Sequence, residues 1–85
     1  MDEHVCDQVL DITGETCPMT YVRTRLALDR LAPGKILAVR LRGAEPEANV
    51  PRNALMQGHG ILGARRDADG ITTVFVLRGA GQAPG

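Results

Sequence analysis

The chain has 85 residues, and its ten Lys and Arg balance ten Asp and Glu, so the formal net charge is zero. A neutral balance provides no bulk field toward nucleic acid or an anionic membrane, and we expect neither as a direct partner. Two cysteines and the lack of a long apolar run favour a reducing cytoplasm over secretion or a membrane span. This length predicts one domain over residues 1–85, ordered from about 8 to 78 with flexible tails at 1–7 and 79–85.

Hydrophobic periodicity predicts the element order β-α-β-α-β-β. The clearest strand is 35–42, where Leu37, Val39 and Leu41 alternate with residues that point the other way. Pro33-Gly34 is a strong stop signal for the helix before it. The same signals predict strands at 9–12, 35–42, 61–66 and 71–78, helices at 18–31 and 51–57, a loop at 45–49 and a turn at 67–70.

These elements predict an α/β (α+β) two-layer sandwich, with a mixed four-stranded sheet and two helices on one face. Right-handed crossovers around each helix place both helices on the same side of the sheet. We expect Phe75 in the core and a free sheet face that is part basic and part apolar. The residues predicted on that free face are Ala38, Arg40, Arg42, Thr72, Val74, Val76 and Arg78.

Cys17 is the residue whose chemistry points most directly to a function. It is followed at once by Pro18, at the head of the first predicted helix. A cysteine at the N-cap, with proline at the first helical position, lies beside unpaired backbone N–H groups and the positive end of the helix dipole. Such a thiol ionises below the free value of roughly 8.5, and the thiolate is the nucleophile. The alternative is a small buried hydrophobe, which the position between Gly14 and Pro18 disfavours.

Residues 11–18 read DITGETCP. This segment resembles the opening motif of the TusA/SirA-like sulfur carrier family, in which Asp-x-x-Gly-x-x-Cys-Pro-x-Pro joins the first strand to the first helix. The resemblance extends over about residues 8 to 78 and includes Pro33-Gly34, Asn49-Val50-Pro51 and Gly58-His59. The sequence departs from the family at Thr20, where the second proline is usual, and at Glu15, where an apolar residue is usual.

The resemblance implies a sulfur carrier or sulfurtransferase that accepts sulfur as a persulfide on Cys17. The donor would be a cysteine desulfurase or rhodanese, and the acceptor a protein of tRNA thiolation, cofactor biosynthesis or sulfur oxidation. No cofactor is expected, the protein is expected to be a monomer, and whether it counts as an enzyme stays open. The alternative is a non-catalytic regulatory or protein-interaction module that uses the exposed sheet face or the first helix.

Four residues are predicted to shape the thiol site. Pro18 fixes the turn, and Gly14 is expected to adopt a positive φ and to leave room for a partner's active site. Asp11 is expected to brace the loop. Thr20 is predicted in the first helical turn, facing a docked enzyme, where proline is tolerated. We therefore expect Thr20→Pro to leave sulfur loading from a small persulfide donor nearly unchanged and to alter transfer to a protein partner.

The first helix has apolar residues on two sides. One stripe is assigned to the sheet, and Met19, Val22 and Leu26 form a second stripe on roughly the opposite side. The second stripe is either an exposed docking surface, together with Glu15 and Arg23, or packs on the second helix; the sequence leaves both open. The first stripe consists of Tyr21, Thr24, Leu28 and Leu31.

The remaining candidates are predicted to be incidental. Cys6 is too far along the chain from Cys17 for an internal disulfide, because about five strand residues at about 3.3 Å each separate them. His4 with these two cysteines matches no common zinc motif. His59 is interpreted as a structural turn residue at the end of the second helix.

Overall fold

The computed structural model describes residues 6–16 and 19–79. Its elements follow the predicted order and confirm the predicted fold class. They are β1 (Gln8–Asp11), α1 (Met19–Asp29), β2 (Ile36–Leu41), α2 (Ala44–Met56), β3 (Gly60–Arg66) and β4 (Thr72–Leu77).

The four strands form one mixed sheet in the order β1-β2-β4-β3. β1 runs parallel to β2, as a β-α-β crossover requires, whereas β4 pairs antiparallel with both β2 and β3. The turn predicted at 67–70 is confirmed: the amide of Gly70 donates to the Asp67 carbonyl at 3.1 Å, with Gly70 at a φ of 83°. Neither α1 nor α2, the helices of the described chain, has the length and apolar content needed to cross a bilayer.

The core lies between the sheet and the two helices. The β2–β4 register places Leu37 opposite Val76, and Val39 opposite Val74. All four side chains are at most 1 % exposed and cluster with apolar residues from both helices. The helical contributions are Ala27 and Leu28 from α1, and Val50 and Ala54 from α2.

This register corrects the predicted free face. Val74 and Val76 face the helices, whereas Phe75 pairs with Ala38 on the opposite face of the sheet. Phe75 is nonetheless only 7 % exposed. The segment TTVFVL ends in four adjacent apolar residues, so alternation alone could not identify its inward face.

The loop predicted at 45–49 is wrong, because α2 begins at Ala44 and Pro51 lies inside it. Gly43, at a φ of 109°, turns the chain and its carbonyl accepts a hydrogen bond from the Glu47 amide at 3.2 Å. Acidic residues in this first turn interact favourably with the positive end of the helix dipole. Thr72 Oγ1 also donates to Glu47 Oε2 at 2.9 Å, which holds the start of α2 on β4.

Candidate functional site

The predicted nucleophile Cys17 and its neighbour Pro18 lie outside the described residues. The structure describes the chain up to Thr16 and again from Met19. The carbonyl of Thr16 accepts hydrogen bonds from the amides of Met19, at 2.8 Å, and Thr20, at 3.3 Å. The hydrogen-bond ladder of α1 therefore starts at the residue that directly precedes Cys17 in the sequence.

Asp11 organises the start of the loop that leads to Thr16. Its Oδ1 accepts hydrogen bonds from the Thr13 amide at 3.0 Å and from Thr13 Oγ1 at 2.7 Å. Its Oδ2 accepts a bond from Arg40 Nη1 at 3.1 Å. The two bonds from Thr13, and then the positive charges of Arg40 and Arg42, lower the pKa of Asp11. Asp11 is thus a carboxylate at neutral pH and accepts bonds from both the loop and the sheet.

Gly14 does not have the positive φ expected from the sequence. The described glycines with positive φ are Gly34, Gly43, Gly58 and Gly70. A Cβ added at Gly14 would meet no other atom within 4 Å. The chain itself therefore has no visible steric need for glycine here, and a role in leaving room for a partner stays a prediction.

Glu15 joins the other end of the loop to α1. Its amide donates to the Ile12 carbonyl at 3.1 Å, and its Oε2 accepts a bond from Arg23 Nη1 at 2.9 Å. Both side chains are partly exposed, at 31 % for Glu15 and 44 % for Arg23. Since exposed ion pairs contribute roughly 0–1 kcal/mol, this pair orients the loop more than it stabilises the fold.

Thr20 does not face outward, so the expectation that it meets a docked enzyme is wrong. Its side chain is 1 % exposed, and its carbonyl accepts a 2.7 Å hydrogen bond from Thr24 Oγ1. Thr20, Thr24 and Ala27 follow one another at helical spacing on the buried side of α1. Thr20 therefore belongs to the stripe that packs on the sheet.

The second stripe of α1 is exposed to solvent. Met19 and Val22 are each 43 % exposed and Leu26 is 50 % exposed. We call these three residues the apolar strip. The groove between the helices is lined by other residues, so the apolar strip does not pack on α2. The groove residues are Tyr21, Thr24, Arg25 and Leu28 on α1, and Val50, Asn53, Ala54 and Gln57 at α2.

The remaining candidates are not part of one site. Cys6 is a free, partly buried thiol, and His4 lies outside the described residues. Within 6–16 and 19–79, no group of three or more acidic, His or Cys residues could hold a metal ion.

Asp7, assigned to a flexible tail from the sequence, instead exchanges two 2.8 Å hydrogen bonds with Ile36.

Comparison with known proteins identifies the family. The model of the family described as sulfurtransferase TusA matches residues 8–78. The chain belongs to the TusA family. Among curated relatives, an Archaeoglobus fulgidus protein named "Putative sulfur carrier protein" is 37 % identical over 72 residues, covering 85 % of this chain and 82 % of that protein. YedF of Escherichia coli K12, described in the same words, is 34 % identical over 71 residues, or 84 % and 92 % of the two chains.

A solved structure supports the TusA-family fold independently. The crystal structure of a SirA-like protein from Desulfitobacterium hafniense aligns with a TM-score of 0.75, over 85 % of this chain and 97 % of that one. Sequence identity is 22 %, so this likeness bears on the fold alone.

Two residues that help to position the loop after β1 were not predicted from the sequence. Arg40 was assigned to the free face of the sheet without a link to the loop, although its parallel register with Asp11 brings the two together. Thr16 was not singled out, and its hydrogen bonds come from its backbone, which residue type does not reveal.

Proposed function

We propose that this TusA-family protein carries sulfur as a persulfide on Cys17, between a donor protein and an acceptor protein. The observation that carries the proposal is the exposed apolar strip on the helix that follows the motif cysteine, with Met19 two residues after Cys17. A protein that only needed a stable core would gain nothing from three large apolar side chains on the solvent side of α1. A carrier needs such a surface, because a donor and an acceptor must each bring a reactive group to the same cysteine.

The first half-reaction moves one sulfur atom onto the carrier. The Cys17 thiolate attacks the outer sulfur of a cysteine persulfide on the donor. A new S–S bond forms to Cys17 as the donor's S–S bond breaks, and the donor cysteine leaves as a thiolate. The proton of the persulfide group stays with the transferred sulfur, so charge and electrons balance without an external oxidant.

The second half-reaction returns the carrier to its starting state. A nucleophile on the acceptor attacks the outer sulfur of Cys17–S–SH, and Cys17 leaves as a thiolate. Backbone N–H groups at the start of a helix favour an anion there, so the thiolate needs no general base in the same chain. Asp11 is unsuited to proton transfer, since the bonds from Thr13 and the charge of Arg40 lower its pKa and keep it ionised.

The residues around the apolar strip suggest the chemistry of the partner surface. Arg25 is an exposed residue of the same helix, and Arg30 directly follows it, whereas the exposed Arg23 is already paired with Glu15. An apolar ridge with basic borders fits an apolar groove rimmed by carboxylates. A cysteine desulfurase or a rhodanese is the proposed donor; the acceptor pathway is tRNA thiolation, cofactor biosynthesis or sulfur oxidation.

Sulfur loading tests the proposal directly. After incubation with a cysteine desulfurase and cysteine, the wild type and Cys6→Ser should each gain about one sulfur atom, roughly 32 Da by intact-protein mass spectrometry. Cys17→Ser should gain none while remaining folded by circular dichroism. Loading of Cys17→Ser, or no loading of the wild type by desulfurase or rhodanese, would contradict persulfide carriage.

The apolar strip also favours a second candidate, a regulatory module that binds proteins through α1 without sulfur chemistry. In that case Cys17→Ser should bind partners as the wild type does.

Nucleic-acid binding through the free sheet face is less well supported, because Phe75, the aromatic residue on that face, is only 7 % exposed and cannot offer a stacking surface.

A further inference from the structure

The end of the described chain is bonded to three separate parts of the fold. The Arg78 amide donates to the Lys35 carbonyl at 2.8 Å, which extends β4 along the start of β2. Arg78 Nε donates to the Leu28 carbonyl near the end of α1, also at 2.8 Å. The Gly79 amide donates to Nδ1 of His59 at 3.0 Å, in the junction between α2 and β3. We call His59, Arg78 and Gly79 the C-terminal clasp.

The backbone at Gly79 lies too close to Gly58 to leave room for a side chain. A Cβ added at Gly79 would lie 2.1 Å from the Gly58 carbonyl oxygen, so no larger residue fits without moving backbone. The Gly58 amide donates to the Leu55 carbonyl at 3.1 Å, and the His59 amide donates to the Ala54 carbonyl at 3.0 Å. Gly79 therefore docks against a segment that α2 already holds.

The imidazole of His59 can accept this bond in one protonation state only. His59 is 8 % exposed, and its Nδ1 faces the N–H of Gly79, so the ring proton must be on Nε2. A protonated imidazole carries N–H on both nitrogens, so its Nδ1–H would face the N–H of Gly79 and no hydrogen bond could form. Arg78 Nη1 donates to the Gly79 carbonyl at 2.8 Å, so a second cation at His59 would also lie close to the guanidinium.

We propose that His59 is a proton-operated latch: when the imidazole takes up a proton, Gly79 loses its acceptor and the C-terminal clasp opens at the α2–β3 junction. The latch is independent of sulfur carriage and of Cys17.

The electrostatic environment keeps the latch closed at neutral pH. Burial of the ring lowers the pKa of His59, the charge of Arg78 lowers it further, and Asp29 at the end of α1 acts in the opposite direction. A lowered pKa means that the folded state binds this proton more weakly than the unfolded chain does. The stabilisation is complete above the ordinary value of about 6.5 and is lost as pH falls below it toward the folded-state pKa.

The experiment follows the Gly79 amide by NMR hydrogen exchange in the full chain, at about pH 7.5 and about pH 5, the range in which histidines titrate. The protection factor, which corrects for intrinsic exchange, should fall severalfold in the wild type at the lower pH. In His59→Asn, Oδ1 can replace Nδ1 as the acceptor and does not titrate, so protection should be the same at both pH values. His4→Gln, the matched control, should behave as the wild type.

Two outcomes would overturn the latch. One is a Gly79 protection factor that does not change while the His59 ring signals show the ring being protonated. The other is a pH dependence in His59→Asn equal to that of the wild type. If His59→Asn does not fold, the wild type alone decides: the Gly79 amide shift must follow the same titration curve as the His59 ring.

Discussion

The guanidinium of Arg40 on β2 donates a hydrogen bond to the carboxylate of Asp11 at the end of β1, with Nη1 and Oδ2 3.1 Å apart. The carbonyl of Arg40 also accepts a bond from the Ile12 amide at 3.1 Å. One residue of β2 therefore attaches the loop to the sheet through both its side chain and its backbone. The parallel β1–β2 pairing makes this possible, because it places Asp11 beside Arg40.

Asp11→Asn should reduce the acid sensitivity of the fold. The pKa of Asp11 is lowered by Thr13 and then by Arg40, so the folded state favours the carboxylate. The resulting stabilisation is present above the ordinary value of about 3.9 and is lost as pH falls through the lower folded-state pKa. Thermal melts of wild type and Asp11→Asn below about pH 4 should therefore converge. Asp69→Asn, whose described hydrogen bonds use its backbone, is the control and should retain the wild-type dependence.

Thr20→Pro should destabilise the fold by about 1–3 kcal/mol, contrary to the expectation from the sequence. Proline removes the Thr20 amide that donates to the Thr16 carbonyl, and it changes a side chain that is 1 % exposed. Urea unfolding gives the free energy of unfolding. Thr20→Val keeps the amide and the approximate shape, so it should lose less. Equal stability of Thr20→Pro and the wild type would contradict a structural role for the Thr20 amide and side chain.

Val22→Glu and Leu26→Glu should each slow sulfur transfer from a desulfurase without slowing loading from a small polysulfide. Both side chains are on the apolar strip and exposed, so the change in stability should stay within about 0.5 kcal/mol. Leu55→Glu is the matched control, since Leu55 is 56 % exposed but lies on α2. If all three variants slow transfer equally, general charge rather than docking on α1 is responsible.

Gly14→Ala should leave stability unchanged or raise it by up to about 1 kcal/mol, since fewer unfolded conformations are then available. No steric contact opposes a Cβ at this position, and its φ is not positive. The informative measurement is protein-to-protein sulfur transfer by the folded variant. Slower transfer would support a close approach by the partner at Gly14, whereas wild-type transfer would exclude it.

Cys17 should react with iodoacetamide faster than Cys6 at neutral pH. The expected pKa below about 8.5 gives Cys17 a larger thiolate fraction than a free thiol. Alkylation rates of Cys6→Ser and Cys17→Ser across pH separate the two thiols. Equal rates, or a Cys17 profile centred at or above the free value, would remove the argument for helix-based activation.

The sequence predicted those parts of the fold in which local pattern and tertiary packing agree. In β2, the large apolar residues Leu37, Val39 and Leu41 alternate in the sequence with Ala38 and Arg40, so both the strand and its inward face were predictable. The start of α2 was not, because Pro51 is usually read as a helix start and here lies inside the helix. The role of Thr20 was also missed, since its burial depends on how α1 rotates against the sheet, which the motif does not determine.

Met19 has a further consequence for a protein that handles reactive sulfur. Its thioether is part of the apolar strip, in a side chain that is 43 % exposed and open to peroxide. Oxidation to the sulfoxide would make one of the three strip residues polar, and this change is reversible by methionine sulfoxide reductases. In the proposed carrier, the oxidant that consumes a thiolate would thereby also weaken the docking of partner proteins on the apolar strip. Met19→Leu, treated with peroxide and then reduced at its cysteines, should keep the binding that the wild type loses.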